Sequence, residues 1–206
     1  MKRRDFLTGG AALGMMTAAR TEAKAMMQFT EFRAGDTGAW RIEQIKGVTG
    51  ETLPNAERLA VLEGEDFSNS FQKDWRLKGF TTNTRYTTRR EADSMAALQE
   101  GLGRPNATRA ALIPIRKNEA WWALAQDERR AIFEEQSHHI DIGLKYLPAI
   151  ARRLYHCRDL GEPFDFLTWF EYAPEDATAF EDLVAQLRSI PEWRFVEREV
   201  DIRLSR

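Results

Sequence analysis

From Arg109 onward the spacing of apolar residues switches repeatedly between the strand and the helix period. "ALIPIRK" (111–117) is a short apolar run and predicts a strand. "AQDERRAIFEEQSHHIDIGLKYL" (125–147) repeats its apolar residues every three to four positions, which predicts one helix with Asp127 as its N-cap and Pro148 as its stop. "ARRLYHCRDL" (151–160) and "FDFLTWFEYA" (164–173) read as two strands joined at Gly161-Glu162-Pro163. "PEDATAFEDLVAQLRS" (174–189) is amphipathic with Pro174 in its first turn, and "EWRFVEREVDIRL" (192–204) closes as a strand. The order βαββαβ is that of an α+β, ferredoxin-like unit, an antiparallel sheet with helices on one face.

Upstream the pattern is weaker. "RLKGFTTNTRYTTRR" (76–90), "EADSMAALQEGL" (91–102) and "RAALIPIRK" (109–117) read as strand, helix and strand, a shortened copy of the same unit. Residues 50–73 are polar and uneven, and no element is assigned to them. The division falls near Arg109, with a shortened N-terminal half (26–108) and a C-terminal half (109–206) sharing one sheet.

Residues 1–25 are set apart from the fold. "MKRRDFLTGGAALGMMTAARTEAKA" has a basic start, a mildly apolar Gly/Ala/Met stretch and Ala23-Lys24-Ala25 as a small-x-small cleavage site. Arg3-Arg4-Asp5-Phe6-Leu7 resembles the twin-arginine export signal. That route carries proteins already folded, often with a cofactor in place, so it implies a periplasmic protein with a bound prosthetic group.

Composition narrows the classes. With 206 residues and 43% apolar, the chain can bury a sizeable core. Its formal charge of −2 becomes −5 once residues 1–25 are removed, with 25 basic against 30 acidic residues remaining, which argues against a nucleic-acid binder. No apolar run approaches the roughly 18 residues that span a bilayer, so no membrane attachment is expected after processing. Cys157 is the sole cysteine and excludes an intrachain disulfide.

All three histidines lie in "SHHIDIGLKYLPAIARRLYH" (137–156). On a continuous helix His138 shares its face with Glu134, Glu135, Asp141 and Lys145, and points to water. His139 shares its face with Ile132, Gln136, Ile142, Gly143 and Tyr146, and is the buried one. A histidine in that setting is by default a hydrogen-bonded core residue, although Gly143 one turn away leaves room for something flat. A structural zinc site wants four Cys/His ligands and lacks the cysteines here. Haem needs one axial histidine and survives the count. On the next strand Arg152, Leu154 and His156 share one face, and Arg153, Tyr155 and Cys157 the other. Either both arginines are solvated at an edge, or one faces inward and needs an anionic partner.

Taken together, "IPIRKNEAWWAL", "ERRAIFEEQSHHIDIGLKYLPAIARRLYHCRDLGEPFDFLTWFE" and "LVAQLRSIPEW" resemble the chlorite dismutase family, in its short dimeric branch. The resemblance implies a dimeric α+β barrel holding haem b. His139 would be the axial iron ligand, and Arg152, thirteen residues on, the distal arginine that meets the anion, with Leu154 as its apolar neighbour. Lys117 and Trp121 match a pair near the haem propionates, leaving Trp122 to packing. Glu192 matches the glutamate that accepts the other ring proton of the axial histidine. The implied reaction turns chlorite into chloride and dioxygen through ferryl iron and a transient hypochlorite, in a homodimer. Two alternatives stay open: a coproheme decarboxylase-like enzyme, which carries glutamine on the distal side and acts in the cytoplasm, and a haem carrier or other binding protein of the same fold.

Overall fold

In the computed structural model, which describes residues 29–64, 74–81 and 85–206, eight antiparallel strands close into a barrel. The expected signal peptide and its cleavage site lie outside the described residues. The strands are β1 (Phe29–Gly35), β2 (Trp40–Thr49), β3 (Arg58–Glu63), β4 (Trp75–Phe80), β5 (Arg109–Lys117), β6 (Ile150–His156), β7 (Phe166–Tyr172) and β8 (Val196–Ser205). Around the barrel they run β1-β3-β2-β8-β5-β7-β6-β4, so closure leaves no free edge.

Alternation along each strand sorts two cores. Every strand sends side chains into the lumen, where Phe32, Trp40, Tyr155 and Trp169 meet ring to ring at 5.3–5.7 Å. The outward residues of β5 are also apolar: Ala110 and Leu112 face the lumen, while Ala111, Ile113 and Ile115 face a second cluster that includes Phe180, Leu183 and Val184 of α5 (Ala177–Ser189). A strand buried on both faces reads as a continuous apolar run, which is why 109–117 stood out in the sequence. The closing seam is narrow. Strand β4 meets β6 at the pair Phe80↔His156, and a Cβ at Gly79 would lie 2.6 Å from that of Tyr155, so only glycine permits the approach.

Three sequence expectations change. The long helix over 125–147 is broken. It comprises α3 (Gln126–Arg130), a π-helical segment Ala131–Gln136, and α4 (His139–Leu144), with His138 left-handed at φ 52° between them. Glu134 is buried rather than solvated, because its carboxylate accepts the backbone N–H groups of Ile140 (2.6 Å) and Asp141 (3.4 Å) and so caps α4. The start of α3 is capped at Ala125, whose N–H donates to Glu128 at 2.7 Å, not at Asp127. The strand, helix and strand read over 76–117 are present as β4, α1 (Arg89–Leu98) and β5, and among the described residues three further strands, β1, β2 and β3, precede them. Strand β2 went unread because register shifts at Ile42/Gln44 and Gly47/Thr49 interrupt its period of two. The division at 108/109 falls inside the closed barrel. Among the described residues no helix is long and apolar enough to cross a membrane.

Candidate functional site

Between the outward face of β5, β7 and β6 and the helices α1, α4 and α5 lies an open-mouthed cavity. Its walls are mostly apolar, including Ile113, Ile115, Leu154, Phe170 and Leu183. A mostly apolar cleft with a few convergent polar groups is the usual form of a cofactor site.

The helix wall supplies His139. Its ring stacks on Phe133 with centroids 4.4 Å apart, and its Nδ1 lies 2.7 Å from Glu192 Oε2. Glu192, 4% exposed, comes from the turn Pro191–Phe195 after α5. Its other oxygen accepts from Lys117 Nζ at 2.7 Å, and its backbone N–H donates to Ser137 Oγ at 3.0 Å. Burial alone would raise the Glu192 pKa, but the charges and hydrogen bonds of His139 and Lys117 hold it down at about 2. The carboxylate is therefore ionised at neutral pH and accepts a hydrogen bond from Nδ1–H, which leaves Nε2, with its lone pair, as the ligand atom.

The break at Ser137–His138 is what brings His139 to this position. On one unbroken helix the ring would be fixed by its place along that helix; here α4 starts afresh from His138, with its own cap from Glu134. The two histidines separate, with His139 half-buried rather than buried. His138 is exposed and His139 lines the cavity. Glu134, His138 and Asp141 do come within ligating distance of one another, but the buried carboxylate among them is already occupied as the α4 cap.

The sheet wall supplies Arg152, Leu154 and His156, on one strand face as expected, and all three line the cavity. Arg153 is on the other face and pairs with Glu63 at 2.7 Å. Arg152 has no carboxylate partner among the described residues. Its Nη2 donates to Met95 Sδ of α1 at 3.0 Å, and burial lowers its pKa with nothing offsetting it. A guanidinium in a mostly apolar cleft, donating to a thioether, is suited to receive an anion.

The remaining expected residues divide. Trp121, on α2 (Glu119–Ala123), lines the cavity at 1% exposure, and its buried Nε1 has no hydrogen-bond partner. Trp122 turns away, stacks on Phe166 and donates to Asp165 at 3.2 Å, as packing. Lys117 also lines the cavity, and its ammonium is engaged by Glu192 on the His139 side, near the rings of Trp121 and Trp193.

Sequence reasoning missed three lining residues. His156 was placed on the correct face but given no role. It is buried, and burial together with the Arg85 charge, against a smaller pull from Asp159, lowers its pKa to about 4, so it is neutral at pH 7. Tyr86 sits at φ 60° with its ring edge-on to Trp121, and its hydroxyl accepts from Arg129 at 3.0 Å. Met95 lies on a helix that buries none of its residues. Neither Tyr86 nor Met95 carries a local pattern that marks it, because each reaches the cavity only through the docking of its segment.

The donor set fits an iron porphyrin. One imidazole nitrogen is free to ligate, the indole N–H of Trp121 lacks an acceptor that an anionic edge would provide, and a Cβ at Gly143 would meet no atom within 4 Å. His139 with Glu192 behind it would hold the iron, and Trp121 would meet the rim of the group.

Known proteins resemble this chain in sequence and in fold. A dimeric chlorite dismutase from Nitrobacter winogradskyi is 60% identical and superposes with a TM-score of 0.80, covering 86% of this chain and 99% of that one. The chlorite dismutase of Candidatus Nitrospira defluvii in complex with imidazole shares the fold at 19% identity, with a TM-score of 0.57 over 87% of this chain and 91% of that one. A chlorite dismutase from Ideonella dechloratans is 35% identical over 86 residues, which is 42% of this chain and only 28% of the relative's length. The chlorite dismutase family model matches residues 14–206, nearly the whole sequence, and the chain belongs to that family.

Proposed function

We propose that the protein is a haem b-dependent chlorite dismutase, converting chlorite to chloride and dioxygen. The observation that carries this reading is Arg152, a half-buried guanidinium with no carboxylate partner among the described residues, on the wall of the cavity that His139 also lines. Haem supplies the electrons for breaking and remaking bonds to oxygen. The chain supplies the rest. Glu192 keeps the His139 proton on Nδ1 and makes the imidazole a stronger donor. Arg152 docks chlorite and holds the hypochlorite fragment until the O–O bond forms, while Leu154 and the apolar walls exclude water.

A homodimer is supported by the dimeric relative from Nitrobacter winogradskyi. Export to the periplasm by the twin-arginine route, with residues 1–25 removed, rests on Arg3-Arg4 and the Ala23-Lys24-Ala25 site. The βαββαβ order of residues 109–206, with strands adjacent as β8-β5-β7-β6, supports a ferredoxin-like C-terminal unit. The test is direct. The purified protein should show a Soret band and release dioxygen from chlorite at an oxygen electrode. A Soret band without oxygen release would make it a haem carrier, and absence of both would remove the haem reading.

A further inference from the structure

The sulfur atoms of the chain are few and unevenly protected. Of six methionines, five lie at or before position 27, and the sixth is Met95. The only cysteine, Cys157, is fully buried, donates to the Phe164 carbonyl, and has its pKa pushed far up by burial, so it offers neither access nor thiolate. Met95 is the opposite case. It is partly exposed, lines the cavity, and holds its Sδ 3.0 Å from Arg152 Nη2.

We propose that Met95 is an oxidation site through which hypochlorite retained by Arg152 shuts down the anion subsite. The inference rests on the proposed function, since that reaction generates the oxidant. Arg152 attracts hypochlorite, and its nearest acceptor is a thioether, so the guanidinium delivers the oxidant beside the sulfur that reacts with it. The sulfur lone pair attacks chlorine, hydroxide departs, and water then displaces chloride at sulfur. In net terms, thioether plus hypochlorous acid gives sulfoxide, chloride and a proton. Sulfur loses two electrons and chlorine gains them.

The product changes what holds Arg152. A thioether is a weak acceptor that the guanidinium can leave for an anion. A sulfoxide oxygen is polar and strongly accepting, so the contact becomes a charge-assisted hydrogen bond. Met95 cannot easily withdraw, because α1 is tied down at its start. Thr88 and Glu91 form a capping box, and Glu91 also takes both terminal nitrogens of Arg130 at 2.6 and 2.8 Å. The oxidised residue therefore competes with incoming anions for Arg152.

The test uses the ferric holoenzyme, reagent hypochlorite in rising sub-stoichiometric doses, and fluoride as the anion probe, read as a Soret shift. Peptide mapping should find one added oxygen on Met95 before any on Trp121 or Tyr86. Fluoride affinity should fall roughly tenfold or more as that sulfoxide forms, and a Met95→Leu protein dosed in the same way should keep the affinity it started with. If that variant does not fold, the oxidised wild type is treated with methionine sulfoxide reductase, which should restore binding. Earlier modification of Trp121 or Tyr86, unchanged fluoride affinity at full Met95 oxidation, equal loss in Met95→Leu, or no recovery after reduction would each overturn the proposal. Because reagent hypochlorite replaces turnover, the result is readable even if the protein releases no dioxygen from chlorite.

Discussion

Replacing Glu192 by glutamine keeps the shape of the side chain and removes its charge, which isolates what that charge holds in place. The carboxylate receives Lys117 on one oxygen and His139 on the other, both at 2.7 Å, with the Lys117 and Glu192 side chains only 3% and 6% exposed. An amide can accept one of these donors and turns its NH₂ towards the other. Lys117 is then a buried ammonium without an anion, and breaking such a pair from one side costs about 3–5 kcal/mol. Lys117→Met removes the cation instead and leaves a carboxylate still held by His139, so it should cost less. In the double variant Glu192→Gln/Lys117→Met neither charge remains, and the loss should fall short of the sum of the single losses by about 2–3 kcal/mol. Urea unfolding of the haem-free proteins at neutral pH gives the four free energies. The Glu192 pKa is lowered to about 2, so its stabilisation is complete above the usual carboxylate range and is lost only as the pH falls from about 4.5 towards 2. Single-variant losses that add within about 0.5 kcal/mol would refute the reasoning, because independent sites add to that precision.

Three further predictions concern the cavity. His139→Ala should purify without a Soret band and His138→Ala with one, since only the first residue lines the cleft; equal haem content in both would refute the assignment of the ligand. Arg152→Ala, still holding haem, should release about ten to a hundred times more scavenger-trappable hypochlorite per dioxygen, following the roughly 1.5–3 kcal/mol of a charge-assisted contact; a wild-type ratio would show that another group retains the fragment. His156 has a folded pKa near 4, below its unfolded value of about 6.5, so the unfolded chain binds more protons between these values and stability should fall as the pH drops from 6.5 to 4. His156→Phe should flatten that part of the stability curve, and an unchanged slope would mean that another group is responsible.

Local pattern was enough to determine the four strands and helix α5 of residues 109–206 and the face of β6 that carries Arg152, because period two and period 3.6 survive wherever one side of an element is buried. It was also enough to separate His138 from His139, though by an argument that assumed an unbroken helix. Tertiary structure decided the rest. The π-helical segment and the left-handed His138 arise because Glu134 turns inward to cap α4, a contact between residues that a periodic reading assigns to the solvent. Strands β1, β2 and β3 owe their place to barrel closure, which pairs short, charged and bulged segments that have weak patterns of their own. Lys117 pairs with a residue 75 positions away in sequence, and Met95 meets Arg152 across 57. Such contacts depend on how helices dock on the sheet, and nothing in the spacing of residues along one element encodes which distant side chain will complete a charge or cover a guanidinium.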